Sequence, residues 1–254
     1  MKIAKTILIL LLIILVIPIF STVALSLSET SGMPLKWYGQ IIHDDSFLNS
    51  FFLTFYVSII TSVVSLIFSF ILSLSWFDKK QRYIVLFFLL IFGLLPPDIL
   101  SLAITKVAGM FGLYNANILL MICGLTLYCL PFSVLILWAR YYFIDRSLLI
   151  IASDIGVEGK CIISRIILPM SFQALVSCAT LNFLLAFNEF PRTYYLSGAY
   201  VFISEFFSGK LNSGTDDSVY AGASLVVIST VFLIIAFSVF QSSRLRQQKN
   251  ATID

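Results

Sequence analysis

Residues 153–169 read SDIGVEGKCIISRIILP. The run carries Asp154, Glu158, Lys160 and Arg165 between two long apolar blocks, and it closes on Leu168-Pro169 where the second block begins. Gly156 permits a turn that a residue with a Cβ resists. Pro169 suits the first turn of a helix, where its missing N–H costs little. Upstream, YYFIDRSLLIIASDIG has the pattern of a short amphipathic helix, and EGKCIISRI that of a second. The expectation is helix, glycine turn, helix and re-entry into an apolar rod, a folded knob rather than a slack loop. An ordinary amphipathic linker is the alternative reading of the same residues.

The flanking blocks set the class. Of 254 residues, 59% are hydrophobic and 11% charged, and the mean hydropathy is +1.01. Runs near twenty apolar residues are long enough to cross about 30 Å of hydrocarbon. The chain therefore reads as an all-α, polytopic membrane protein, one transmembrane domain over 1–254. Six spans are expected at about 6–27, 51–77, 83–104, 117–138, 167–187 and 221–240, with a polar connection at about 141–166. The runs are continuous, not alternating, which argues against a β-barrel. MKIAK followed by an apolar core and STVALS also has features of a secretory signal peptide. The length of the apolar stretch and the position of Pro18 favour a span.

Charge gives the orientation. With the N-terminus inside, only Lys36, Lys106, Arg192 and Lys210 lie on the outer side, so 12 of the 16 Lys and Arg residues are cytoplasmic. That asymmetry puts both termini and the 141–166 connection on the cytoplasmic side. The four cysteines, Cys123, Cys129, Cys161 and Cys178, read as small core residues, not as a disulfide or metal framework. His43, the single histidine, reads as a solvated surface residue. No GxxxxGK[ST] phosphate loop is present, so the chain does not load ATP on that motif.

The 141–169 segment resembles the cytoplasmic loop of ABC importer permeases, EAA-x3-G-x9-I-x-L-P. Gly156 is followed by Ile166, Leu168 and Pro169 at that spacing, Ala152 matches the second alanine, and Asp154-Ile155 match the residues before the glycine. Ile150 and Ile151 depart from the glutamate and the first alanine. Four further stretches resemble permeases of the spermidine/putrescine group: LKWYGQIIHDDSFLNSFFLTFYVS, LLPPDILSLAI, LTLYCLPFSVLILWARY and ILPMSFQALVSCATLNFLLAFNEF. Together they cover most of 35–240. The resemblance implies a type I ABC importer permease fold in a bacterial inner membrane. It implies a dimer of a separate ATPase, a second and different permease subunit, and an external solute-binding protein as partners. Beyond membrane lipid no other partner, no nucleic acid and no cofactor is implied. ATPase coupling falls on Ala152, Asp154, Ile155, Gly156, Glu158, Leu168 and Pro169. Leu148, Leu149 and Ile155 would be the apolar anchor and Arg146, Asp154, Glu158 and Lys160 the polar rim.

Charges at membrane depth are costly and point to a pathway. Asp98 follows Pro96-Pro97, whose missing N–H groups should break or kink the third span. Irregular backbone at that depth is tolerated where it lines protein or a wet cavity. Glu189 closes AFNEF, with Asn182, Asn188, Tyr194 and Tyr195 close in sequence. Asp98, Glu189 and Tyr194 are the expected pathway residues, two carboxylates and an aromatic face suited to a cation. The alternatives stay open: Asp98 as a helix-end residue paired with Lys106, and Glu189 in outer water. An intramembrane enzyme built on Asp98 and Glu189, or a channel, are the rival classes. No paired catalytic motif or metal cluster supports the enzyme.

Overall fold

The computed structural model describes residues 2–27, 36–76, 80, 82–113, 117–214 and 218–250. Among them every regular element is a helix. The chain divides into two compact units, one formed by 1–53 with 201–238 and the other by 54–200 with 239–254.

The first unit holds α1 (Lys2–Ser26), α2 (Lys36–Ile42), the start of α3 (Asp45–Trp76), α11 (Ile203–Ser213) and most of α12 (Ser218–Asn250). Asp44 starts α3 by accepting the Ser46 N–H at 2.9 Å. Ile41, Phe47, Ile203, Phe206 and Ala221 form the buried core. Gly222 sits tight against it, since a Cβ there would lie 3.2 Å from Ile41 and Phe207. The Tyr38 hydroxyl lies 2.7 Å from that of Ser26 and 2.8 Å from that of Ser224, so one phenol joins α1, α2 and α12.

The second unit holds the rest of α3, then α4 (Arg82–Leu94), α5 (Pro97–Met110), α6 (Ile118–Tyr142), α7 (Arg146–Asp154), α8 (Gly159–Ile162), a π-helical turn (Ile163–Ile167), α9 (Leu168–Phe187) and α10 (Pro191–Leu196). Asn117 caps α6 by accepting the Leu120 N–H at 3.1 Å. Its core gathers Val134, Leu137, Trp138, Tyr141 and Ile144 against Ala174 and Cys178. Small polar residues cross-tie the helices, as expected where lipid gives no hydrophobic drive between them. Ser62 donates to the Ala179 carbonyl at 2.7 Å, and the Trp138 indole to that of Ser73 at 3.1 Å.

Among the described residues four helical stretches are long and apolar enough to cross a membrane: Asp45–Ser75, Ile118–Tyr142, Gly159–Phe187 and Ser218–Val239. The expected third span is a bent pair. Tyr83–Leu94 and Pro97–Met110 meet at 101°, which makes five candidates if the pair counts as one crossing. Pro96 is extended at φ −50°, ψ 129°, and Pro97 opens α5, so the break lies where the two N–H groups are missing. α1 is 25 residues long, Lys2–Ser26, with Pro18 inside it. Six crossings require α1 to cross in addition to these.

Candidate functional site

Two regions of the second unit hold the residues singled out by sequence. The first is the arch that leaves α6 and returns to α9. Asp145 caps α7 by accepting the Ser147 N–H at 2.9 Å. Hydrogen bonds from the Ser147 backbone and side chain hold its carboxyl below the usual range. A carboxyl lowered on folding supports the helix above its unfolded pKa and loses that contribution as the pH falls through its folded value. The cap is thus intact at neutral pH. At the other end Gly156 has φ +85°. Its N–H bonds the Ser153 carbonyl at 3.0 Å, and the Val157 N–H reaches back to Ala152 at 3.1 Å. This pair of bonds, closed by a left-handed glycine, is the Schellman stop. A Cβ on Gly156 would meet nothing within 4 Å, so the position demands a conformation, not space.

α7 has no buried residue. Leu148, Ile150, Ile151 and Ile155 are all exposed, Ile155 at 76%. Ala152 and Leu149 are half-buried, while Asp154, Gly156, Glu158, Leu168 and Pro169 are exposed. Of the two departures from the permease loop pattern, Ile151 falls on the side of Leu148 and Ile155, and Ile150 is exposed on another side of α7. The return limb differs from the separate short helix expected. α8, the π turn and α9 form one continuous stretch, Gly159–Phe187. The Leu168 N–H bonds the Ile163 carbonyl, five residues back. This wide turn stands immediately ahead of Pro169, whose ring would crowd the carbonyl four residues back in a regular helix. Pro169 therefore stands in the first turn of α9, which continues the stretch begun at Gly159.

The second region is the α9–α10 corner. Asn188 ends α9, its side-chain amide donating to the Leu184 carbonyl at 2.8 Å. Pro191 opens α10. Across this turn Arg192 Nη1 donates to Glu189 Oε1 at 2.5 Å, with the two side chains 4% and 10% exposed. The guanidinium carbon lies 4.0 Å from the centroid of the Tyr128 ring on α6, a cation–π arrangement. Arg192 Nε is buried without a hydrogen-bond partner. Gly124 makes room for the corner, because a Cβ there would lie 2.5 Å from Leu196 Cδ1. Deeper along α9, Asn182 is fully buried and accepts from Ser133 Oγ at 2.6 Å.

The expected pathway residues fare differently. Glu189 is not a free carboxylate, since Arg192 neutralises it. Asp98 is exposed in the first turn of α5 and makes no ion pair with Lys106, itself exposed. Tyr194 is 60% exposed and joins Phe190 and Tyr195 in an aromatic group with centroids 5.9 and 5.3 Å apart. Sequence reasoning missed Arg192 as the partner of Glu189, although the i, i+3 spacing of Glu-Phe-Pro-Arg signals it. It also missed Tyr128, for which the sequence carries no local sign. All four cysteines are free, with Cys129 and Cys178 buried.

No protein-family model matches the sequence. Among solved structures, the chain superposes on a bacterial ABC transporter involved in the import of the acidic polysaccharide alginate. The TM-score is 0.70 at 13% identity, covering 97% of this chain and 96% of that one. It also superposes on an inward-facing MetNI methionine ABC transporter, with TM-score 0.61 and 17% identity over 79% of this chain and 98% of that one. The fold is that of the permease subunits of ABC importers. Within that class the sequence resembles the spermidine/putrescine transport system permease protein PotC. Against the Escherichia coli (strain K12) protein it is 20% identical over 208 residues, 81% of this chain and 78% of that protein. Against the Haemophilus influenzae protein it is 25% identical over 109 residues, 42% of each.

Proposed function

We propose that this chain is the membrane-spanning subunit of an ATP-driven importer for polyamines or a related small solute, and that α7 is the element gripped by a separate ATPase. One observation carries the coupling role. α7 is held at both ends, by Asp145 and by the Gly156 stop, yet buries nothing of its own. Leu148, Ile151 and Ile155 fall on one side of α7, and an exposed apolar stripe on a fixed polar connection marks a protein contact. These three supply the anchor, and Asp154 and Glu158 the rim. Ala152 and Gly156 shape the stop, and Leu168-Pro169 lie on the limb that returns to α9. The proposed assembly contains two ATPase copies, a second permease and an external binding protein, with both termini of this chain cytoplasmic.

The polyamine reading rests on the similarity to PotC. A different solute on the same scaffold is favoured by the neutralised Glu189, which offers a cation no net charge. The test is reconstitution with the ATPase, second permease and binding protein in proteoliposomes, followed by ATP-driven uptake of labelled spermidine and putrescine. Uptake that requires both the ATPase and the binding protein is expected. A chain that never associates with an ATPase overturns the function. ATP-driven uptake of another solute alone overturns only the polyamine part.

A further inference from the structure

Arg140 lies near the end of α6 and is half-buried. Its guanidinium donates twice to one backbone oxygen, that of Met170, from Nε at 2.8 Å and from Nη2 at 2.6 Å. No carboxylate among the described residues shares its charge. Met170 directly follows Pro169 in the first turn of α9. The tie therefore closes the base of the arch formed by α7, α8 and the π turn.

Its place on the α6–α9 seam is informative. Higher on the seam, Ser133 bonds Asn182 at 2.6 Å, and the Cys178 and Cys129 thiols reach the Ser133 and Asn182 carbonyls at 3.6 and 3.7 Å. Between these ties and the arch the seam is filled by Val134, Leu137, Trp138 and Tyr141 against Ala174 and Cys178. The two helices are thus fastened along their length. The vulnerable point is the first turn of α9, where a π turn and a proline interrupt the regular ladder. Arg140 spans that point. A displacement of α7 would otherwise be absorbed there by sliding or bending. We propose that Arg140 is a positioning residue for coupling: its double bond to the Met170 carbonyl makes α6 and α9 answer a pull on α7 as one body.

This inference rests on the importer function proposed above. The test uses the complete reconstituted importer with the parent chain, Arg140→Gln and Arg140→Lys. The readouts are complex recovered, ATP hydrolysed and solute moved per ATP. In Arg140→Gln, assembly and stimulated hydrolysis are expected to persist while solute per ATP falls about fivefold, the scale of coupling changes carried by packed networks. Arg140→Lys keeps a charged donor and should restore part of the ratio. An unchanged ratio in Arg140→Gln, or equal losses of uptake and hydrolysis, overturns the proposal. A second measurement stands apart from variant assembly. Spin labels at Tyr142→Cys and Phe172→Cys, both exposed in the parent, placed in a background in which Cys123 and Cys161 are serine and the buried Cys129 and Cys178 are kept, should keep their separation through the ATP cycle. A separation that changes with nucleotide overturns the single-body behaviour. A parent chain that recruits no ATPase defeats the function itself, a result distinct from a coupled parent whose Arg140→Gln variant is equally coupled.

Discussion

At the scale of single residues, the Glu189–Arg192 pair changes what a mutation there measures. Read from sequence, Glu189→Gln removes a pathway charge and leaves the protein otherwise intact. In the structure it strands a guanidinium that is 4% exposed. Breaking a buried pair from one side costs about 3–5 kcal/mol. Glu189→Gln should therefore lower the amount of purified protein and its thermal midpoint before any effect on uptake is interpretable. Glu189→Gln with Arg192→Met should recover most of that loss, because the two effects are coupled. Full stability of Glu189→Gln alone would show that the pair holds nothing. Asp98→Asn, at an exposed position, remains a clean probe of uptake. Gly124 gives a second prediction. An added Cβ would lie 2.5 Å from Leu196 Cδ1 and 3.4 Å from Ile104 Cδ1. Leu196 is fully buried, so Gly124→Ala should cost about 1–3 kcal/mol by overpacking, read as a lowered thermal midpoint in detergent. The pairing of the glutamate with Arg192 is signalled by their i, i+3 spacing, which sequence reasoning passed over. The Tyr128 ring over that partner is not signalled, since it comes from another helix 64 positions upstream of Arg192.

At the scale of elements, the arch was the most readable part of the chain and still held a surprise. Gly156 announced its turn and Pro96-Pro97 their bend, because each residue acts on its own backbone. Pro169 announced a helix start and stands in the first turn of α9, but a π turn joins that start to α8 in one continuous stretch. No tripeptide records that junction. The distinction decides which variants of Gly156 matter. Nothing lies within 4 Å of an added Cβ, while φ is +85°. Gly156→Ala should therefore cost about 1–2 kcal/mol of backbone strain, fray the end of α7 and lower ATP-coupled uptake. Gly156→Asn should retain more activity, since asparagine tolerates the left-handed region. Equal uptake by the glycine, asparagine and alanine forms would show that the stop plays no part in coupling.

At the scale of the whole molecule, the number of crossings fixes where the termini and the arch lie. The Lys and Arg distribution favours an inward-facing arch and inward termini, which demands an even number of crossings. The described helices supply four long apolar spans and one bent pair. α1 is then the element that makes the number even, and its Pro18 is tolerated in a span because neighbouring groups can satisfy the freed carbonyl. Hydropathy alone reads the bent pair as one span, and nothing in its sequence fixes a 101° bend as against a mild kink. Fusions of a periplasm-active and a cytoplasm-active reporter distinguish the alternatives. Attached before residue 2, after residue 250 and within the Gly156–Glu158 turn, all three should report the cytoplasmic face. An N-terminal fusion on the face opposite to the other two would mean that α1 does not cross.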